Sequence, residues 1–554
     1  MKKMILAAGL LGMSAAPLAA QQGGNRNFEI SKNLEIFNDI YKQLDMFYVD
    51  SLSADTVIEW GINAMLRRVD PFTVYYPEEG MDELKEMTTG KYAGIGAVIR
   101  FYKKDDRVMV IEPIENSPAT EAGVKAGDII LSIDGEDMKG KSTQEVSDNL
   151  RGDAGTVFEL TVKREGVENP LSFKVKRRNI AMPPVPYYGM VADGVGYVCF
   201  DRFVDGCSRD VRRAVVDLKE QGAKALVLDL RNNPGGPLSE AVEVTNLFVP
   251  RGQKVVYTKG KLASVNSEYY TKKEPLDADI PLVVLVDGAT ASSAEIVSGA
   301  WQDWDRAVIV GERTYGKGLV QMIREVPYHG SLKVTTSRYY IPSGRCIQAY
   351  DYRHLNPDGS AGTVPDSLTR VFKTAGGREV RDGGGIKPDV VITPDSLPSI
   401  VYDVMASDVL LDYVNHFVRK HPSIAPAGEF SLSDEDYAEF VKMVSESDFT
   451  YKRRTEEMMK LLERTARFEG CYDDARPEFE ALAQKMAGDV SADLERPKNK
   501  EEIKKILEGD IVARYYFQRG AIKQSLKDDK DLEEALKILG DEARYESLLK
   551  PVKK

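Results

Sequence analysis

The chain is poor in the residues that metal and imidazole chemistry require: its 554 residues include four histidines and four cysteines. Cys199, Cys207, Cys346 and Cys471 form no CxxC pair and have no histidine at metal-ligand spacing, so neither a metal site nor any other cofactor is expected. They read as buried small hydrophobes, with a Cys199–Cys207 bridge left open. None of His329, His354, His416 and His421 lies in a recognisable serine-nucleophile motif, which removes the usual base of a Ser-His-Asp arrangement. Dense Lys/Arg clusters are missing as well. With a formal net charge of −12, binding to nucleic acid or anionic lipid would work against the overall field. Beyond the first twenty residues no apolar run approaches the roughly 20 residues that a bilayer crossing needs, so no stable membrane span is expected.

What is present begins with a leader. Lys2 and Lys3 precede an apolar run from Met4 to Met13 and small residues ending at Leu18, Ala19 and Ala20, the pattern of a signal peptide over 1–20. An exported protein, of the periplasm or cell envelope, is the expectation. No cysteine near the cleavage point offers a lipid attachment site.

The length exceeds what one hydrophobic core supports, and the patterning changes along the chain. Residues 21–88 read as a helical segment: Leu34, Phe37, Tyr41 and Leu44 share a stripe with Ser31 placed as a cap, and a second helix over Ala54–Arg67 ends before Asp70-Pro71. Residues 89–178 switch to short β-rich runs with one helix over Thr143–Leu150. From 179 to 400 strands alternate with helices, which argues for an α/β sheet with active groups at strand ends. Residues 401–554 read as helical, with Ile503, Ile506, Leu507 and Ile511 on one face of a charge-rich packing helix. The fold class is multidomain α/β.

Two constellations carry chemistry. Glycines at 94 and 96 in Gly94-Ile95-Gly96-Ala97 can turn successive N–H groups into one hollow, which holds a chain-terminal carboxylate without a charged side chain. A peptide would pair beside Ala97, with Val146 and Leu150 walling the pocket for its last side chain. Arg151, at the end of that helix, leaves two readings open, a solvated cap or a contact that reports occupancy to the site in the α/β part. The stretch Ser117–Gly135, SPATEAGVKAGDIILSIDG, resembles the most characteristic part of PDZ domains, and the loop at 92–97 looks like their carboxylate-binding loop.

The second constellation lies in the α/β part. Ser292, in VDGATASSAEI, sits where an apolar strand meets a helix, so backbone N–H groups and the helix dipole face any developing oxyanion. Lys317, in GERTYGKGLVQ, would serve as its base if burial keeps it partly uncharged, and Gln321 would share its strand face and orient it. Gly235 and Gly236, in DLRNNPGG, would complete an oxyanion hole with the Ser293 amide. A nucleotide-binding P-loop is disfavoured, because Gly318 stands where a hydroxyl should hold magnesium and a strand follows.

These segments, following a PDZ-like unit, resemble the C-terminal processing peptidases (tail-specific proteases) of the S41 type over roughly residues 30–400. Asp70-Pro71-Phe72, the run from Arg338 to Arg345, and Gly385–Asp389 support the resemblance. It implies Ser292 as nucleophile, Lys317 as general base and Gln321 as the base-orienting residue. TASSAE departs from the family's commoner SASASE but keeps serine at the third position. The resemblance further implies protein substrates with free, often apolar C-termini, and helical ends that build a homodimer or dock an adaptor. The rival reading is a non-catalytic PDZ scaffold or chaperone, against which the intact Ser/Lys/Gln set argues.

Overall fold

The computed structural model describes residues 16–551 except 395, 487 and 488, with side chains from residue 26 onward. Of the signal peptide expected over 1–20, residues 1–15 lie outside the described residues, and 16–20 form the start of the first helix. Helix α1 (Ala16–Phe47) runs straight through Ser31, so that serine is not the expected cap: no Gly-Pro breaker or turn precedes it, and the apolar repeat already starts at Phe28. Leu34 and Phe37 of its stripe remain exposed in the single chain. Helix α2 (Ala54–Arg67) starts at Ser53, whose hydroxyl accepts from Thr56 N. Strand β1 (Val74–Tyr76) and helix α3 (Met81–Thr89) follow.

The next unit comprises β2 (Lys91–Gly94), β3 (Ala97–Tyr102), β4 (Arg107–Pro113), α4 (Pro118–Ala122), β5 (Ile129–Ile133), β6 (Glu136–Asp137), α5 (Thr143–Leu150), β7 (Val157–Lys163), β8 (Leu171–Lys176) and β9 (Arg178–Ala181). Alternation drives it: Phe158, Leu160 and Val162 of β7 are buried, while Val157, Glu159 and Lys163 are exposed. Its main sheet runs β3-β4-β5-β7-β8. Strands β2 and β9 pair only with each other, forming a two-stranded ribbon through which the chain enters and leaves. Val146 and Leu150, expected to wall the pocket for a peptide's last side chain, lie on the inner face of α5. Their i,i+4 spacing turns both inward from α5, where they are buried with Ile95, Val110 and Phe158.

The α/β part continues with β10 (Tyr187–Ala192), β11 (Val195–Cys199), α6 (Cys207–Glu220), β12 (Ala225–Asp229), α7 (Leu238–Thr245), β13 (Lys254–Gly260), β14 (Ser267–Tyr270), β15 (Leu282–Val286), α8 (Ser293–Asp303) and β16 (Val308–Gly311). Strands β17 (Leu319–Glu325), β18 (Ser331–Tyr340), β19 (Tyr350–Leu355), β20 (Ala361–Thr363), β21 (Val371–Lys373), β22 (Glu379–Arg381) and β23 (Val390–Val391) complete it. One sheet has the order β10-β11-β12-β15-β16-β23, parallel from β11 onward. All residues of β12 and β15 are buried, as strands covered on both faces must be. Leu226, Leu228, Val284 and Val286 pack under α6, α7 and α8. A second, antiparallel sheet joins β1, β18, β13 and β14, with β17 also on β18.

Helices α9 (Ser399–Ala406), α10 (Asp408–Lys420), α11 (Asp434–Ser445), α12 (Arg454–Glu469), α13 (Arg476–Met486), α14 (Val490–Leu494), α15 (Pro497–Ser525), α16 (Lys530–Leu539) and α17 (Glu542–Leu548) follow. Ile503, Leu507 and Ile511 are buried on one face of α15. Helix α16 leaves this bundle: Leu532, Ala535 and Ile538 cover Tyr197, Val227, Val283, Leu285, Val308 and Val310, the other face of the parallel sheet. The four cysteines are free thiols, so the Cys199–Cys207 bridge does not form, and Cys471 is exposed where a buried hydrophobe was expected. Among the described residues no helix is long and apolar enough to cross a membrane.

Candidate active site

Strand β15 delivers the chain to Ser292 with a backbone strained for a non-glycine residue, φ +54° and ψ −115°. Such a conformation persists only when its surroundings over-determine it, and here they do. Thr290 donates its hydroxyl to Leu230 O (2.8 Å), Ala291 N donates to Asn233 O (2.9 Å), and Ser293 Oγ donates to Gly236 O (2.7 Å). The loop after β12 is thereby fastened to the elbow. Gly235 (φ +88°) could not be another residue: a Cβ there would lie 2.7 Å from Ser293 N and 2.8 Å from Ser292 Cβ.

Beneath the elbow lies Glu295, fully buried, its carboxylate accepting from Ser292 N (2.9 Å), Thr314 Oγ1 (2.6 Å), Gly316 N (2.7 Å) and Lys317 N (2.9 Å). Burial pushes its carboxyl up to about 6 despite these donors. One carboxylate therefore clamps the serine elbow to the loop that carries the lysine. Lys317 itself is pushed down to about 8, first by burial and then by the nearby Lys333 charge, against the opposing pull of Glu295 and Asp70. Its Nζ sits 4.2 Å from the centroid of the Phe72 ring. Among the described residues no hydrogen bond joins Ser292 Oγ to Lys317 Nζ.

Ser292, Ser293, Gly235, Gly236, Lys317 and Gln321 all open onto one cleft of about 1000 Å³. Two expectations change in detail. Gly235 is not an oxyanion donor, because its N–H is already given to Asn233 Oδ1 (2.9 Å). The amides of Gly236 and Ser293 carry no hydrogen bond among the described residues, so those two remain as donors. Gln321 does not hold the Lys317 amine: its Nε2 donates to Thr335 Oγ1 (3.1 Å). Lys317 precedes β17 rather than lying on it, and a register shift between Val320 and Gln321 breaks the expected alternation.

Sequence reasoning missed Glu295, although its place three residues after Ser292 is capping-box spacing. It named the segments that hold Phe72 and Tyr339 but gave neither residue a role; the Tyr339 hydroxyl donates to Ser292 O (3.2 Å). Local pattern held no signal for either partnership, since both partners are remote in sequence.

The residues expected to bind peptide, Gly94 to Ala97 with Val146 and Leu150, do not line this cleft. The carbonyls of Ile95 and Gly96 are taken by Ala119 N and Ile114 N (both 2.9 Å), while their N–H groups donate to nothing among the described residues. Gly96 (φ +73°) would place a Cβ 2.5 Å from Ser117 Cβ, which holds the loop to glycine. Arg151, directly after α5, pairs with Glu86 of α3 (2.7 Å), and Glu86 lines the cleft.

Comparison with known proteins gives three matched regions. Residues 194–366 match peptidase family S41, residues 109–164 match the PDZ domain, and residues 400–539 match the "Probable PDZ-protease, C-terminal helical domain". A "Carboxy-terminal-processing protease" of Bartonella bacilliformis is 36% identical over 353 residues, 63% of this chain and 80% of the relative. A "Probable CtpA-like serine protease" of Staphylococcus aureus is 34% identical over 334 residues, 60% of this chain and 65% of the relative. Among solved structures, the photosystem II D1 C-terminal processing protease aligns at 27% identity with a TM-score of 0.34, covering 66% of this chain and 93% of that one.

Proposed function

Because the chain belongs to the carboxy-terminal-processing serine proteases of peptidase family S41, we propose that it hydrolyses peptide bonds by acyl transfer from a Ser292–Lys317 pair. The single observation that carries this reading is the Glu295 carboxylate, which binds the backbones of Ser292 and Lys317 at once and presents both to one cleft. Lys317 swings from the Phe72 ring to take the proton as Ser292 Oγ attacks the carbonyl carbon. The N–H groups of Gly236 and Ser293 receive the oxyanion, and Lys317 returns the proton to the leaving amine. A water, deprotonated by the Lys317 amine, then attacks the acyl carbonyl, and Lys317 returns that proton to Ser292 Oγ as the acyl group leaves.

Substrates are proteins with free, apolar C-termini, captured at the Gly94–Ala97 loop of the PDZ domain, where the N–H groups of Ile95 and Gly96, without a partner among the described residues, suit a terminal carboxylate. The leader directs the protein to the periplasm or cell envelope. The exposed stripe of α1 is the surface for a homodimer or an adaptor.

The test follows release of peptides from an unfolded protein with an apolar C-terminus, using wild type, Ser292→Ala and Lys317→Ala. Cleavage by wild type alone, with all three folded, is the expected result. Cleavage by Lys317→Ala would overturn the base assignment, and a wild type that binds but never cuts would favour a scaffold.

A further inference from the structure

The cleft holds a second lysine. Lys333 lies on β18, opposite Val74 of β1 and Ile323 of β17, and its side chain lines the same cleft as Ser292 and Lys317. No carboxylate pairs with it among the described residues; its Nζ reaches Tyr76 Oη (3.3 Å) and Met87 Sδ (3.6 Å). Both cleft lysines rest on rings from one short segment, Lys317 on Phe72 and Lys333 near Tyr76, at 4.2 and 5.6 Å from the centroids. That segment is pinned to β18, where Thr335 N donates to Thr73 Oγ1 (3.2 Å).

We propose that Lys333 is a positioning residue for the reaction, a fixed positive charge that disfavours protonation of Lys317 and so keeps the base ready. This rests on the Ser292–Lys317 reading. An ammonium without a counterion is the arrangement that acts on a neighbouring amine, because a paired carboxylate would cancel its field. Most of the other charged groups around the cleft have partners of their own. Asp70 accepts from Phe72 N, Thr73 N and Thr73 Oγ1. Glu86 on α3 is paired with Arg151, Asp201 with Arg202, and Glu295 is filled by four donors. Glu83 of α3 lines the cleft and is the one further carboxylate there. The direction agrees with the lowering of Lys317 that Lys333 contributes.

The experiment measures kcat/KM against pH for wild type, Lys333→Met and Lys333→Arg, and titrates the Lys317 side chain by NMR with labelled lysine in a Ser292→Ala background, with and without Lys333→Met. The inference expects Lys333→Met to move the acidic limb upward by roughly half a pH unit, about threefold in rate on that limb, with Lys333→Arg restoring it. It expects the same displacement in the Lys317 resonance. A Lys317 titration unchanged by Lys333→Met overturns it, even if the variant loses activity. So does an unmoved limb with KM raised only for substrates carrying acidic residues, which would make Lys333 an anion subsite. Cleavage by Lys317→Ala would instead defeat the Ser/Lys reading, which the titration does not depend on.

Discussion

The parallel sheet and the PDZ domain are held by different kinds of contact. The sheet is dry on both faces, with helices α6 to α8 on one side and α16 on the other, and its strand ends carry a strained serine that buried hydrogen bonds keep in place. The PDZ domain hangs from the β2–β9 ribbon and is steadied largely by polar pairs at its margin. Arg151 binds Glu86, Tyr102 Oη donates to Asp412 (2.8 Å), and Arg100 reaches the carbonyl of Ala406; Leu411 adds one apolar contact to Tyr102, Met109 and Ile129. Packing at native density leaves a strained site nowhere to relax, whereas partly exposed polar pairs are individually worth about 1 kcal/mol or less and can be exchanged. Chemistry sits where the chain is over-determined, and substrate selection sits where it is adjustable.

That contrast is open to attack, beginning with the largest effect. Ser292→Ala should lower kcat/KM by about three orders of magnitude or more, with the unfolding midpoint little changed; a residual rate near wild type would break it. Arg231 joins the sheet to α16 by pairing with Asp229, Asp529 and Asp531. Arg231→Met, which leaves those carboxylates uncompensated, should cost about 3–5 kcal/mol in urea unfolding. A loss confined to α16, seen by hydrogen exchange, would sharpen the picture by showing that this helix opens separately.

Glu295→Gln keeps the shape but turns an N–H donor toward backbone N–H groups, so activity should fall about a hundredfold while binding to the PDZ domain is unchanged. The pH profile follows from Lys317. Its amine must be neutral to act and burial sets it near 8, so kcat/KM should fall about tenfold per unit below that value. A limb near 6 would point to another base. Arg151→Ala should give the smallest change, a fewfold alteration in how strongly C-terminal peptides stimulate cleavage. No change in that stimulation would detach Arg151 from any signalling role.

Much of this was legible because it is local. The short apolar runs at Ala225–Asp229 and Leu282–Val286 read as strands of an α/β sheet, and a serine at the following helix start needed no tertiary information to be noticed. What misled was also local reasoning. The alternation that put Lys317 and Gln321 on one face ignored the bulge at Val320–Gln321.

The amino-acid order by itself determined most element types, the PDZ-like and S41-like segments, and the presence of Ser292 at a strand-to-helix join with Lys317 between glycines. Periodicity and turn chemistry act within a few residues, which is why the sequence can be read for them. Only the tertiary structure decided that Glu295 grips both Ser292 and Lys317, that Phe72 seats the lysine, and that Arg231 closes on Asp529 from 298 positions away. Those partnerships exist because burial brings distant segments into one water-poor place, and no short window of sequence contains both partners.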